Sequence, residues 1–293
     1  MSTPFVLPGK VYLIGAGPGA ADLLTVRAAQ LLQSADIVLH DDLVSDEVLA
    51  LISPRATVQS VGKRCGIKKI TQEEIQNRMI AEARSGKTVI RLKGGDPLIF
   101  GRASEEMAAL RAAGIPFEIV PGITAALAAA AVAQISLTDR HSASKLLLVS
   151  NHQCGEKIFR EWHTNVVSDS TLVFYMPGGH FEELVTELSE AGLTGDTPCL
   201  MVSNAARPQQ EFHRTTLKDL ASVPHLPAPS LLIVGAMTAE SQNVKIAAKP
   251  EAKADAFKLE PKLVTQTRIQ LAEEYAEKEA SSDKGNWLAT EAY

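Results

Sequence analysis

The chain has 293 residues, 45% hydrophobic and 22% charged, the balance of a globular protein with room for one large or two medium cores. Its net charge of -5 provides no global basic field for nucleic acid or an anionic membrane, so an acidic ligand must be met by a local cluster of Arg and Lys. The longest apolar run, Ala125 to Ala133, is shorter than the ~18 residues of a membrane span. Met1 to Gly9 has two prolines and no basic start, which speaks against a signal peptide.

Lys10 to Gly15 (KVYLIG) is a β-branched run ending in glycine and predicts a buried strand. Asp22 is a candidate N-cap for a helix reaching Gln33, before a strand at Asp36 to Leu39, a short helix at Asp46 to Ile52 and a strand at Thr57 to Val61. Thr71, with Glu74 three positions on, predicts a capping box opening a helix to Ser85. Lys87 to Leu92 is the next strand, Ser104 to Ala113 a helix, and Phe117 to Val120 a fifth strand. Strands separated by helices of this length require crossover connections, hence a mostly parallel sheet.

A boundary is expected at Pro121-Gly122. Ile123 to Ala133 reads as an Ala-rich helix, and strands follow at Lys145 to Ser150, Thr171 to Tyr175, Cys199 to Ser203, Glu211 to Thr215 and Ser230 to Val234. A helix at Phe181 to Ala191 separates two of them. The expected organisation is an N-terminal α/β domain over 7–121 and a C-terminal mixed α/β domain over 122–241. Residues 242–293, rich in Ala, Lys and Glu, read as a charged tail with a weak helix near Gln266 to Ala280. Cys65, Cys154 and Cys199 are scattered, and no histidines stand in HxH or HExxH spacing. A reduced, cytoplasmic protein without a metal site is the expectation.

Three glycine loops close predicted strands: Gly15-Ala-Gly17-Pro18-Gly19, Gly94-Gly95-Asp96-Pro97 and Pro121-Gly122-Ile123-Thr124. The first loosely fits the dinucleotide template, and Asp41 lies about 20 residues on, so an NAD-dependent oxidoreductase is one reading. Pro18 counts against it, because it removes a backbone donor where a pyrophosphate needs one. A second glycine loop ending in a carboxylate has no routine place in that fold. Adjacent glycines let a ligand lie against backbone, and a carboxylate beside them can accept from its ammonium or hydroxyl groups.

In order, GAGPG with LLTVRAAQLL, GKRCG, GGDPLIFGRASEE and VPGITAALAAAAVAQISLT resemble the motifs of the tetrapyrrole methylase family, in particular its uroporphyrinogen-III C-methyltransferases. The match runs from Gly9 to Ala236. The resemblance implies a two-domain tetrapyrrole methylase fold, a homodimer, and S-adenosyl-L-methionine bound between the domains as methyl donor. It implies methylation of uroporphyrinogen III on two adjacent pyrrole rings to give precorrin-2, without the extra NAD-dependent domain of fused siroheme synthases. Pro18, Gly94, Gly95, Asp96, Ile99, Thr124, Ala125, Met176 and Ala205 match the family's donor-binding positions. Asp41 and Lys63 match its proton acceptor and donor, while Arg102, Glu105 and Arg140 match polar residues on the substrate side.

Three departures from the family's pattern stand near that side. His40-Asp41-Asp42-Leu43-Val44 replaces a common Tyr-Asp-Arg-Leu-Val, Asp139 replaces a histidine in Leu-Thr-His-Arg, and Gln134 stands where a glycine is expected. The reaction itself asks for alignment of donor and acceptor and for one base to take the pyrrole N–H proton. Asp41 can serve, and Arg102 is a second candidate for a catalytic role. A substrate rich in carboxylates needs cations, for which Lys63, Arg64, Lys68, Lys69, Arg102 and Arg140 are available. A methylase of a later precorrin and a non-catalytic tetrapyrrole-binding protein remain open alternatives.

Overall fold

The strand β4 (Val89–Lys93) lies between β2 (Ile37–His40) and β1 (Val11–Gly15), and this interleaving defines the first sheet. With β3 (Thr57–Ser60) and β5 (Phe117–Val120) at the edges, the order is β3-β2-β4-β1-β5 and every pair is parallel. The coordinates are a computed structural model, which describes residues 9–62, 70–150, 169–179, 181–224 and 226–239.

Strand alternation divides the apolar residues between the two faces of this sheet. Tyr12, Ile14, Val38, Ile90 and Leu92 pack on α1 (Val26–Ser34) and α2 (Asp46–Leu49). Val11, Leu13, Ile37, Leu39 and Val89 pack on α3 (Gln72–Arg84) and α4 (Ala103–Ala112). The Thr71–Glu74 capping box is present at the start of α3, its two bonds measuring 3.1 and 2.7 Å. Such a cap is worth about 1 kcal/mol. The cap of α1 differs from expectation. Ala21–Leu23 forms a 3-10 turn instead, and the Thr25 hydroxyl accepts from the Ala28 N–H at 3.2 Å. Thr25 has the extended backbone an N-cap needs, which moves the helix start past Asp22.

The second sheet has the order β6-β7-β10-β8-β9 and is mixed. β6 (Lys145–Ser150) runs parallel to β7 (Ser170–Tyr175), while β10 (Ser230–Val234), β8 (Pro198–Ser203) and β9 (Glu211–Thr216) form antiparallel pairs. α5 (Ala125–Ala133) presents Ala126, Ala129, Ala130 and Ala133 to one face, against Val173, Leu200 and Ile233. Their small side chains let the helix approach the strands closely. α6 (Phe181–Glu190) covers the other face with Phe181, Leu184 and Leu188. Among the described residues no helix is long and apolar enough to cross a membrane. The tail after Gln242 and its weak helix lie outside the described residues.

Candidate active site

β1 and β4 are neighbours, yet the chain leaves β1 towards β2 and β4 towards β5, on opposite sides of the pair. Such a reversal opens a crevice at the carboxyl ends of the strands, where open α/β sheets take their ligands. The first two glycine loops meet there. Gly17 N–H donates to Gly95 O at 3.1 Å, and Gly95 N–H returns to Gly17 O at 2.8 Å. Gly17 and Gly95 have φ of 68° and 67°, a left-handed conformation that an L side chain would strain. The third loop is tied to the second, because Asp96 accepts from Gly122 N–H at 2.9 Å with one oxygen and from Leu98 N–H at 2.8 Å with the other.

The second sheet closes the crevice. Tyr175, at the end of β7, has its phenol oxygen 2.6 Å from the Thr124 hydroxyl and 3.2 Å from the Ala126 N–H, which donates to it. Burial pushes the Tyr175 phenol up from its ordinary pKa, opposed by these two hydrogen bonds, so it stays neutral. Its ring meets Phe100 edge-on, with centroids 5.0 Å apart. Arg207, after β8, donates from Nε to Pro18 O at 2.9 Å and from a terminal nitrogen to Leu43 O at 2.6 Å, fastening two loops of the first sheet.

These contacts enclose a cleft of about 580 Å³, within the ~300–1,000 Å³ of small-molecule sites. All nine donor-binding candidates line it: Pro18 from the first loop, Gly94, Gly95, Asp96 and Ile99 from the second, Thr124 and Ala125 from the third, Met176 and Ala205 from the second sheet. Asp41 lines it too, directly after β2. Phe100, Arg102, Met176, Asn204 and Ala206, in the loops around the cleft, are non-glycine residues with positive φ. Left-handed backbone costs about 1–3 kcal/mol per residue and gathers where a site demands it.

The substrate-side candidates are not among the residues that line the cleft, although Arg102 directly follows Phe100 and Gly101, which do. Arg102 is exposed and pairs with Glu105, Nε to Oε1 and a terminal nitrogen to Oε2 both at 2.7 Å. Arg140 is exposed and does not line the cleft. Lys63, Arg64, Lys68 and Lys69 lie outside the described residues. Two of the three departures have local explanations. Gln134 has φ 55° and ψ 40° at the end of α5, so it caps the helix in the conformation that favours glycine. Asp139 organises a turn, one oxygen accepting from His141 N–H at 2.9 Å and from Ser142 N–H at 3.0 Å. These donors and the Ser142 hydroxyl hold its carboxyl below the usual range.

Sequence reasoning passed over Lys93, Tyr175 and Arg207, all of which line the cleft. A signal existed for Lys93. In VIRLK, two cations alternate along a strand that is otherwise apolar, so both must enter one buried face. Arg207 gave none, since its partners are backbone carbonyls 189 and 164 positions away.

The family model of the tetrapyrrole (corrin/porphyrin) methylases matches residues 10–221. A uroporphyrinogen-III C-methyltransferase of Paracoccus denitrificans is 44% identical over 239 residues, covering 80% of this chain and 83% of the relative. Siroheme synthase 1 of Aeromonas hydrophila is 43% identical over 238 residues, covering 81% of this chain but 51% of its own, so the chain spans about half the length of that relative. The crystal structure of uroporphyrin-III C-methyl transferase from Thermus thermophilus, complexed with S-adenyl homocysteine, superposes with a TM-score of 0.69 at 37% identity, over 79% of this chain and 100% of the other. On this evidence the chain belongs to the tetrapyrrole methylases.

Proposed function

We propose that the protein transfers methyl groups from S-adenosylmethionine to two adjacent pyrrole carbons of uroporphyrinogen III, giving precorrin-2. The observation that carries the reading is the cleft itself: three bonded glycine loops at strand ends, with the Asp41 carboxylate in the wall. Bare backbone at Gly17, Gly94, Gly95 and Gly101 lets an elongated polar donor lie flat against the wall. Bound there, S-adenosylmethionine supplies an electrophilic methyl group whose leaving thioether needs no acid.

What remains for the protein is orientation and one proton. Asp41 accepts the pyrrole N–H proton, which completes the flow of electrons to the new carbon–carbon bond. Arg102 and Arg140, with Lys63, supply the cations that the carboxylates of the tetrapyrrole require. Glu105 braces Arg102, whose bidentate pair fixes the plane of the guanidinium. The same reading divides the chain at 121–122 and has two copies working as a homodimer in the cytoplasm. Sedimentation of the purified protein tests the dimer.

Incubation with uroporphyrinogen III and S-adenosylmethionine, followed by mass spectrometry, tests the reaction. A product with two added methyl groups, each balanced by a lost proton and so heavier by two CH2 units, is expected. An unmodified tetrapyrrole, with methylation of a later precorrin instead, would move the chain to another member of its family. Binding of NAD in place of S-adenosylhomocysteine would overturn the reading of the cleft.

A further inference from the structure

Arg91 and Lys93 are two residues apart on β4, so both side chains enter the face covered by α3 and α4. Arg91 is 2% exposed and Lys93 3%. Burying two cations is costly unless they are paired. Glu106 of α4, fully buried, supplies the pairing with one oxygen. Its Oε1 accepts from Arg91 Nε at 2.9 Å, Lys93 Nζ at 3.1 Å and Gln72 Nε2 at 3.0 Å. Its Oε2 has no hydrogen-bond partner among the described residues.

Both cations also reach Asp41, one to each oxygen. Arg91 donates to Oδ1 through a terminal nitrogen, and Lys93 Nζ stands 3.8 Å from Oδ2. Two cations and two carboxylates balance in charge. Stability alone gives little reason for such a cluster, because apolar side chains of similar volume commonly do as well. This cluster ends on the carboxylate in the cleft wall, and Lys93 lines the cleft beside it.

We propose that Lys93, braced on Glu106, is the positioning residue for Asp41, holding Oδ2 towards the cleft while Arg91 anchors Oδ1. The proposal rests on the reading of Asp41 as the base. It gives the device an alkaline limit. Burial lowers the proton affinity of Lys93, and the neighbouring charge of Arg91 lowers it further, against Asp41 and Glu106, which raise it. Among the described residues, the charged groups facing Lys93 are Arg91 on its own strand, Asp41 after β2 and Glu106 on α4, while α3 contributes the neutral amide of Gln72. The ammonium is therefore lost at a lower pH than that of an ordinary lysine.

The test uses Lys93→Met and Lys93→Arg, each alone and combined with Asp41→Asn, on the full chain. Lys93→Met is expected to lower kcat at least about tenfold while S-adenosylhomocysteine affinity by calorimetry changes less than about twofold. In the Asp41→Asn background the same substitution is expected to have no further effect, because the carboxylate it serves has gone. Lys93→Arg is expected to restore most of the turnover and to move the alkaline limb of the kcat profile upward, since a guanidinium does not titrate there. The Nζ resonance of Lys93 in the ligand-free protein is expected to titrate below the ordinary lysine range. Multiplying losses in the double variant, or an unchanged alkaline limb in Lys93→Arg, would overturn the proposal. Should Lys93→Met not fold, the Lys93→Arg profile and the resonance decide. Failure of the underlying reading gives a different result: Asp41→Asn alone would turn over like the wild type.

Discussion

Asp96 accepts from the backbone N–H of Gly122 at 2.9 Å, so the carboxylate that closes the second glycine loop also holds the third. With its other oxygen occupied by Leu98 N–H, Asp96 is an internal tie as well as a wall of the cleft. Asp96→Ala leaves two backbone donors without their acceptor, each costing about 1–3 kcal/mol where water cannot replace it. Both the thermal midpoint and S-adenosylhomocysteine affinity are expected to fall. A loss of affinity at constant stability would mean that Asp96 serves the ligand alone.

Gly122 and Gly15 touch backbone to backbone. A Cβ on Gly122 would stand 2.3 Å from Gly95 O and 2.8 Å from Gly15 Cα, and neither atom can swing away as a side chain would. Gly122→Ala is expected to cost about 3 kcal/mol, the upper end for overpacking, as read by denaturant unfolding. The same substitution at Gly114, where nothing lies within 4 Å, meets only its φ of 67° and is expected to cost about 1–2 kcal/mol.

Gln134 places an L side chain in the left-handed conformation that ends α5, its N–H bonding back to Ala130 O and Ala131 O. Gln134→Gly relieves that strain but frees the unfolded chain, and the balance is expected to stabilise by about 0.5–1 kcal/mol. Chemical denaturation measures it. A destabilised variant would show that the Gln134 side chain contributes a contact greater than the strain.

Arg102 is left-handed as well, with φ 55°, and Arg102→Ala keeps the Cβ and hence the strain while removing the guanidinium. An exposed pair three residues apart on a helix is worth about 0.3–0.5 kcal/mol, so stability is expected to change little. A guanidinium paired with a substrate carboxylate is worth about 1.5–3 kcal/mol. Turnover is therefore expected to fall at least about tenfold, with S-adenosylhomocysteine affinity unaffected. Full turnover would leave Arg102 as the partner of Glu105 and nothing more.

Glu118 joins β5 to Lys10, just before β1, and to Arg27 of α1, through Lys10 Nζ and Arg27 Nε, both at 2.8 Å. Burial alone would raise its carboxyl, but hydrogen bonds from these two cations and their charges outweigh it and hold the group below its usual range. A carboxyl lowered in the folded state stabilises above the unfolded-state value, near about 4.3, and loses that contribution as pH falls through the folded value. Glu118→Gln is expected to melt below the wild type at neutral pH, by about 0.5–1 kcal/mol for this partly exposed network. The gap is expected to close on acidification below pH ~4. A gap that is the same at every pH would assign the loss to packing.

The apolar run of KVYLIG, the capping box at Thr71 and the order of the glycine loops were all legible in the chain, because each is a local preference of backbone and side chain. The start of α1 differs from expectation within the same local logic: Asp22 and Thr25 are both good caps, and only the 3-10 turn that takes up Asp22 leaves Thr25 to cap the helix. Glu105 and Glu106 mark the limit. They are adjacent in one motif, but neighbours on a helix point about 100° apart. Glu105 therefore turns out to Arg102, and Glu106 turns in to Arg91 and Lys93. Nothing in the order of residues says which face of α4 meets the sheet until the sheet is there to bury it. The convergence of Asp41, Arg91, Lys93 and Glu106 joins a strand end, a strand interior and a helix, up to 65 positions apart in number. The sequence by itself determined the elements and the loops that line the cleft. Tertiary packing decided which charges are buried together, because the cost of burying each one depends on partners that other elements bring.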